Sequence, residues 1–228
     1  ALDQNFSHIA HYESLSLYSA SKAAADHIVR AWGNTYGLPV LVANCADLYG
    51  PYQSLDKMVP QAIVSAATGR SLPDLRGAET IHDWLFVADL AEALVVVLSR
   101  GQIGSTYLLG GIARRSNRQV VGAIADLVED IIGPLPDGRR RRALLPGTDD
   151  EAGNDYRYSL VDASGIEKEL GWHPAYSFEA GLRETVSWYL ENEGWWRSLL
   201  SAPELNVHYN QGAEVQADGQ PRKPLAAE

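Results

Sequence analysis

Apolar and polar positions along the chain change their spacing several times, and each change predicts an element. Residues 1–17 are polar, with scattered aromatics (Phe6, His8, His11, Tyr12) that keep no period, and read as loop. From 19 to 36 apolar residues recur at helical spacing: Ala23, Ala24, Ala25, Ile28, Val29, Ala31 and Trp32. This predicts an amphipathic helix, stopped near Gly33 or Gly37. Residues 40–44 form a short continuous apolar run, which predicts a strand buried on both faces of a parallel sheet. Tyr49-Gly50-Pro51-Tyr52 is turn chemistry. A helix is predicted over 57–68, with Met58, Ile63, Val64 and Ala67 as its apolar face. Residues 72–80 read as loop, 81–87 as extended chain, 89–99 as an apolar helix and 105–109 as a second sheet strand closed by Gly110-Gly111.

Beyond that strand the punctuation is sharper. Asn117 is a suitable cap for a helix running to about Ile132. A Gly-, Pro- and Arg-rich loop covers 133–150. A strand is predicted over 156–161, and Asp162 as the cap of a short helix over 166–170 that Gly171 ends. Ser177 is placed to cap a last long helix over 178–191. Residues 201–228 are polar and aperiodic and read as a poorly ordered or draped tail. The alternation of strands and helices predicts an α/β fold.

Composition adds bounds. The 228 residues are 46% hydrophobic and 21% charged, as in ordinary globular proteins. No run of 18 apolar residues offers a membrane span, no signal peptide is visible, and a cytoplasmic protein is expected. A net charge of -10 argues against nucleic acid and anionic membranes as partners. Arg139-Arg140-Arg141-Arg142, between two turn segments, reads as a solvated loop. The single cysteine, Cys45, excludes an internal disulfide and reads as a buried core thiol. No metal site is expected.

The candidate chemistry is Tyr18 with Lys22, four residues apart on one helix face. A phenol loses its proton near pH 10. A lysine ammonium one turn away favours the phenolate, so Tyr18 becomes an acid or base usable nearer neutrality.

The order of motifs carries a resemblance. Tyr18-Ser-Ala-Ser-Lys22 is followed by Tyr36-Gly-Leu-Pro39, Asn44-Cys45, Tyr49-Gly50-Pro51-Tyr52, Lys57…Pro60, Asp83-Trp84-Leu85-Phe86-Val87…Asp89, Gly110-Gly111…Asn117, Glu169-Leu170-Gly171-Trp172…Pro174 and Thr185-Val186…Trp188-Tyr189. Over residues 14–192 this resembles the dTDP-glucose 4,6-dehydratases of the extended short-chain dehydrogenase/reductase superfamily. The resemblance implies a Rossmann sheet with a small C-terminal α/β substrate domain. It also implies tightly bound NAD and a reaction that oxidises a sugar at C4, eliminates water across C5–C6 and returns the hydride to C6. Tyr18 then matches the base for the C4 hydroxyl, and Lys22 the residue that lowers its pKa and holds the nicotinamide ribose. A homodimer is implied through the Tyr18-bearing helix and the helix at 57–69.

The sequence departs from that pattern in definite places. No G-x-G-x-x-G or G-x-x-G-x-x-G is present; Gly101-x-x-Gly104 follows a helix and reads as a helix stop. The family's Thr-Asp-Glu acid/base set has no counterpart in 1–17, so the chain is expected to begin after it. The expected fold is therefore a partial Rossmann-like sheet without its Gly-rich half. Residues 18–132 would be its C-terminal part with interleaved substrate-domain segments, and 133–200 a substrate-domain segment. One sheet edge would be left bare. At substrate-facing positions the family's Asn-Asn is Asp47-Leu48, its base-stacking tyrosine is Leu75, its diphosphate-contacting arginine is His82, and a later Arg-Pro-Gly-His is Glu151-Ala152-Gly153-Asn154. Lys57, Pro73 and Asn117 match. Losing two guanidiniums removes charge-assisted partners for a diphosphate. Two other readings follow. One is a cofactor-independent cyclase, isomerase or dehydratase of a hydrophobic metabolite, with Tyr18 and His82 or Asp47 as acid/base groups. The other is a non-catalytic paralogue that binds a partner.

Overall fold

The structure, a computed structural model, describes residues 3–6, 17–73, 81–146 and 158–200. It is α/β with two sheets. The smaller pairs β2 (Val42–Cys45) with β5 (Thr106–Leu109) in parallel. The larger runs β1 (Asp3–Phe6), β7 (Tyr158–Val161), β4 (Ile81–Phe86), β3 (Asp47–Tyr49) in parallel, and β6 (Ala113–Ser116) lies antiparallel to β4. The chain leaves β2 at Cys45 and enters β3 two residues later, so it changes sheet at Ala46, whose N–H donates to the Leu109 carbonyl at 2.9 Å.

Seven helices connect the described strands: α1 (Leu17–Tyr36), α2 (Met58–Thr68), α3 (Val87–Arg100), α4 (Asn117–Ile132), α5 (Ser164–Leu170), α6 (Phe178–Glu191) and α7 (Glu193–Leu200). Two apolar clusters hold the layers. One packs α2, α4 and α6 around Ile63, Val64, Val120, Ile124, Val186 and Tyr189. The other packs α3, α5 and β5 around Val97, Leu109, Ile166 and Trp172. Between β3 and α6, Tyr49 sits 5.5 Å from Phe86 and 5.4 Å from Phe178, ring centre to ring centre.

Several expectations change. Asp3–Phe6 is a strand and not loop, because β7 supplies the hydrogen bonds that its polar pattern does not advertise. β6 and α7 carry no period that marks them in the sequence. Strand β2 is not buried on both faces: Ala43 and Cys45 are exposed, so Cys45 is not a core thiol. Tyr49 ends β3, and the turn itself strains at Tyr52, with φ 62°. The cap of α4 is Ser116, and Asn117 is the first helical residue. The Ser116 hydroxyl accepts from Gln119 N–H at 3.3 Å, and the Gln119 side chain accepts from Ser116 N–H at 2.9 Å. Gly171 and Ser177 act as the sequence predicts, in a left-handed C-terminal cap and an N-cap. Asp162 accepts from Ser164 N–H at 3.0 Å beside the start of α5.

The arginine run is not solvated throughout. Arg141 is buried, in a 3-10 turn over Arg141–Leu144. Its guanidinium donates to the carbonyls of Ala66 and Ala67 in the last turn of α2, and to Gly133 and Pro134 just past α4. These carbonyls include orphan acceptors of two helix ends. Arg140 pairs with Glu129 and Asp126, and Arg142 with Asp126. The helix expected to share a dimer contact, α2, has Val59, Ala62, Ile63, Val64 and Ala66 buried against α4 and α6. Its apolar face is therefore already covered within the chain.

Candidate functional site

Parallel strands present their ligands at the carboxyl end, where the chain changes direction or sheet. Here that end is Cys45 on β2 and Leu109-Gly110 on β5. Gly111 is required by close approach: a Cβ there would stand 1.9 Å from the Trp84 carbonyl oxygen. A Cβ on Gly110 would stand 2.9 Å from the Val161 oxygen. The link from β5 to β6 thus lies directly on β4 and β7.

Helix α1 runs antiparallel to β2. Arg30 donates to the Thr106 hydroxyl at 2.5 Å and pairs with Asp26 at 2.9 Å, which ties mid-helix to the start of β5. Gly33 packs on Val40, just before β2. Lys22 is eight residues before Arg30, about 12 Å along the axis. A four-residue strand covers about 10 Å. Lys22 therefore stands level with the carboxyl end of β2, and its charge is felt there: it opposes the rise in the Cys45 pKa, which partial desolvation of this exposed residue's thiol drives and Asp47 reinforces. Tyr18 is the second residue of α1, one turn before Lys22.

Asp47, the first residue of β3, and His82, on β4, meet across adjacent strands. The Asp47 carboxylate accepts from Nδ1 of His82 at 2.6 Å. Asp83, next on β4, is 3% exposed, and burial pushes its pKa up. The Val161 N–H, donating at 3.4 Å, and the Arg114 charge work the other way, while Asp47 adds to the rise. Nothing local in the chain marks this carboxylate as buried beyond its place beside Trp84.

The other expected site residues are placed as follows. Leu48 is half-buried against the α3 cluster. Lys57 precedes α2 and pairs with Asp56 at 3.0 Å. Pro73 is half-buried, outside any helix or strand. Asn117 begins α4 one position beyond Ser116, which pairs with Ile81, so it lies near the start of β4. Leu75, Glu151–Asn154 and the tail at 201–228 lie outside the described residues. A separate groove of ≈ 430 Å³ between α4 and α6, lined by Gln119, Asp126, Leu182 and Arg183 among others, takes in none of these positions.

Lys22, an ammonium with three donors at the crevice, fits the ribose end of a dinucleotide. The described glycines do not fit its pyrophosphate. Gly101 caps α3, Gly104 N–H is spent on the Val40 carbonyl at 2.7 Å, and Gly110-Gly111 is packed on backbone and leads to a strand. Among the described residues no group of three or more His, Cys, Asp or Glu could hold a metal. No described helix is long and apolar enough to cross a membrane.

Comparison with known proteins supplies the wider context. The family model for GDP-mannose 4,6 dehydratase matches residues 3–185. A dTDP-glucose 4,6-dehydratase of Neisseria meningitidis is 45% identical over 200 residues, which are 87% of this chain and 56% of that protein. One from Xanthomonas campestris is 46% identical over 195 residues, 86% of this chain and 55% of the relative. The crystal structure of a dTDP-glucose 4,6-dehydratase from Bacillus anthracis in complex with NAD superposes with a TM-score of 0.73 at 35% identity, over 86% of this chain and 58% of that one. That of the Streptomyces venezuelae enzyme, with NAD bound, gives 0.75 at 34% identity, over 87% and 58%. The chain spans about half the length of the curated relatives it matches.

Proposed function

The chain belongs to the GDP-mannose 4,6 dehydratase family, and on that premise we propose that it forms the substrate-facing part of an NAD-dependent sugar-nucleotide 4,6-dehydratase acting on dTDP-glucose, as its relatives are named to do. One observation carries the reading: α1 sets Tyr18 one turn before Lys22, and Lys22 stands at the carboxyl end of β2.

In this reading Lys22 stabilises the Tyr18 phenolate, and Tyr18 takes the proton of the sugar's C4 hydroxyl. Lys22 would also hold the nicotinamide ribose. NAD, when bound, supplies the hydride acceptor that makes oxidation at that carbon possible. The pyrophosphate is left to residues outside those described. The reading carries a cytoplasmic enzyme. It also carries a homodimer built on the outward face of α1, where Ile28, Trp32 and Tyr36 are 58%, 53% and 66% exposed. No observation favours the cofactor-independent or the non-catalytic alternative.

The test is turnover of dTDP-glucose with added NAD, followed as loss of the C6 hydroxyl by NMR. Tyr18→Phe is expected to lower the rate by about 10²–10⁴-fold, the usual weight of a positioned acid/base group. Equal turnover by the variant, or no NAD-dependent turnover by the unaltered protein, refutes the reading.

A further inference from the structure

The Asp47–His82 pair lies where the chain changes sheet, two residues past the end of β2, and takes no part in the proton transfer assigned to Tyr18. Asp47 faces Trp84 in the parallel register, so His82 lies two residues earlier on β4, on the same face of the sheet. Of the two, Asp47 is the more open, 51% exposed at the side chain against 22% for His82. A ligand entering here meets the carboxylate first.

Lys22, whose charge acts against that of Asp47 at Cys45, is assigned in the dehydratase reading to Tyr18 and the nicotinamide ribose, and the charges nearest the pair do not offset the carboxylate for an anion. Asp83, on the opposite face of β4 from His82, adds a buried carboxylate within electrostatic reach of Asp47. Arg114 stands opposite Asp83 in the antiparallel register and is felt by that carboxylate. Arg115, opposite His82, is paired with Glu179 at 3.2 Å and lies over the Phe178 ring. The imidazole commits Nδ1 to Asp47. A diphosphate needs charge-assisted donors held towards it; a neutral sugar hydroxyl is suited by a carboxylate acceptor next to an imidazole.

We infer that Asp47 is a specificity-determining residue: held against His82, its carboxylate disfavours a diphosphate at this point of the crevice and favours a neutral, hydroxyl-bearing group. The inference rests on the dehydratase reading for its choice of probe, dTDP.

The test is calorimetric titration of dTDP into the full chain, Asp47→Asn, His82→Ala and the double variant, with thymidine as the ligand lacking the diphosphate. Asp47→Asn is expected to bind dTDP about tenfold more tightly and thymidine unchanged. His82→Ala, which strips Asp47 of its partner, is expected to bind dTDP more weakly. The double variant should bind dTDP as tightly as Asp47→Asn alone, because His82 acts only through Asp47, so that the two changes are non-additive. A damaged fold loses affinity and cannot mimic the gain; Asp47→Ser serves as a second neutral replacement at this exposed position. Unchanged or weaker dTDP binding by both Asp47 variants, dTDP binding by none of the proteins, additive effects, or an equal gain for thymidine overturns the inference. Failure of the dehydratase reading is separate: it appears as absent NAD-dependent turnover, whatever the titrations show.

Discussion

Single side chains carry two consequences that a composition count would miss. Arg141 is 5% exposed and its guanidinium holds four carbonyls at the ends of α2 and α4. Arg141→Met keeps bulk and removes every donor, so those acceptors lose their partners. We expect a loss of about 3 kcal/mol, read from urea unfolding. Asp83 behaves oppositely. Its folded pKa lies above the ordinary carboxylate value, so the fold disfavours the ionised form. Its contribution to stability is complete below the unfolded pKa, about 4, and is lost as pH rises through the folded value. Asp83→Asn is therefore expected to raise the urea midpoint at neutral pH, with the gain closing as the pH falls into the carboxylate range. A gain that persists undiminished in acid would contradict this.

At the level of elements, legibility followed the source of the stabilising contacts. Helices α1, α2, α3, α4 and α6 announce themselves because an amphipathic stripe repeats over three turns or more. Their ends were read less well. Asn117 and Ser116 are both good caps by type, and the choice fell to Ser116, whose hydroxyl meets Gln119 N–H in a reciprocal box. Ser116→Ala is expected to cost about 1 kcal/mol of stability by thermal or chemical melting, whereas Asn117→Ala should cost less. Strands β1 and β6 are polar along their length (Asp3-Gln4-Asn5 and Arg114-Arg115) and exist because β7 and β4 offer hydrogen bonds. No local pattern could reveal a partner supplied from elsewhere in the chain, β7 pairing Asp3 with Tyr158 and β4 pairing Ser116 with Ile81.

On the scale of the whole molecule, apolar surface is unevenly covered. Helix α2 spends its apolar face on α4 and α6, whereas Leu17, Ile28, Trp32 and Tyr36 on α1 and Leu94, Val95 and Leu98 on α3 stay exposed. The dimer proposed for α1 predicts a mass of two chains in sedimentation, and Trp32→Glu should shift it to one, because a charge in an apolar contact is costly to desolvate. An unaltered protein that sediments as a single chain counts against the contact. One face of β2 is bare, with Ala43 and Cys45 exposed, and among the described residues β2 pairs only with β5.

The sequence by itself determined the α/β class, most helices, the Tyr18–Lys22 spacing and the family, because each is written in local period or in the order of short motifs. Tertiary structure decided the rest. It showed Cys45 exposed and Arg141 buried, the reverse of what residue type and local context predict, because burial depends on what packs from elsewhere. It also joined Asp47 to His82. The two are 35 residues apart in sequence, and only the parallel pairing of β3 with β4 brings a carboxylate within 2.6 Å of an imidazole.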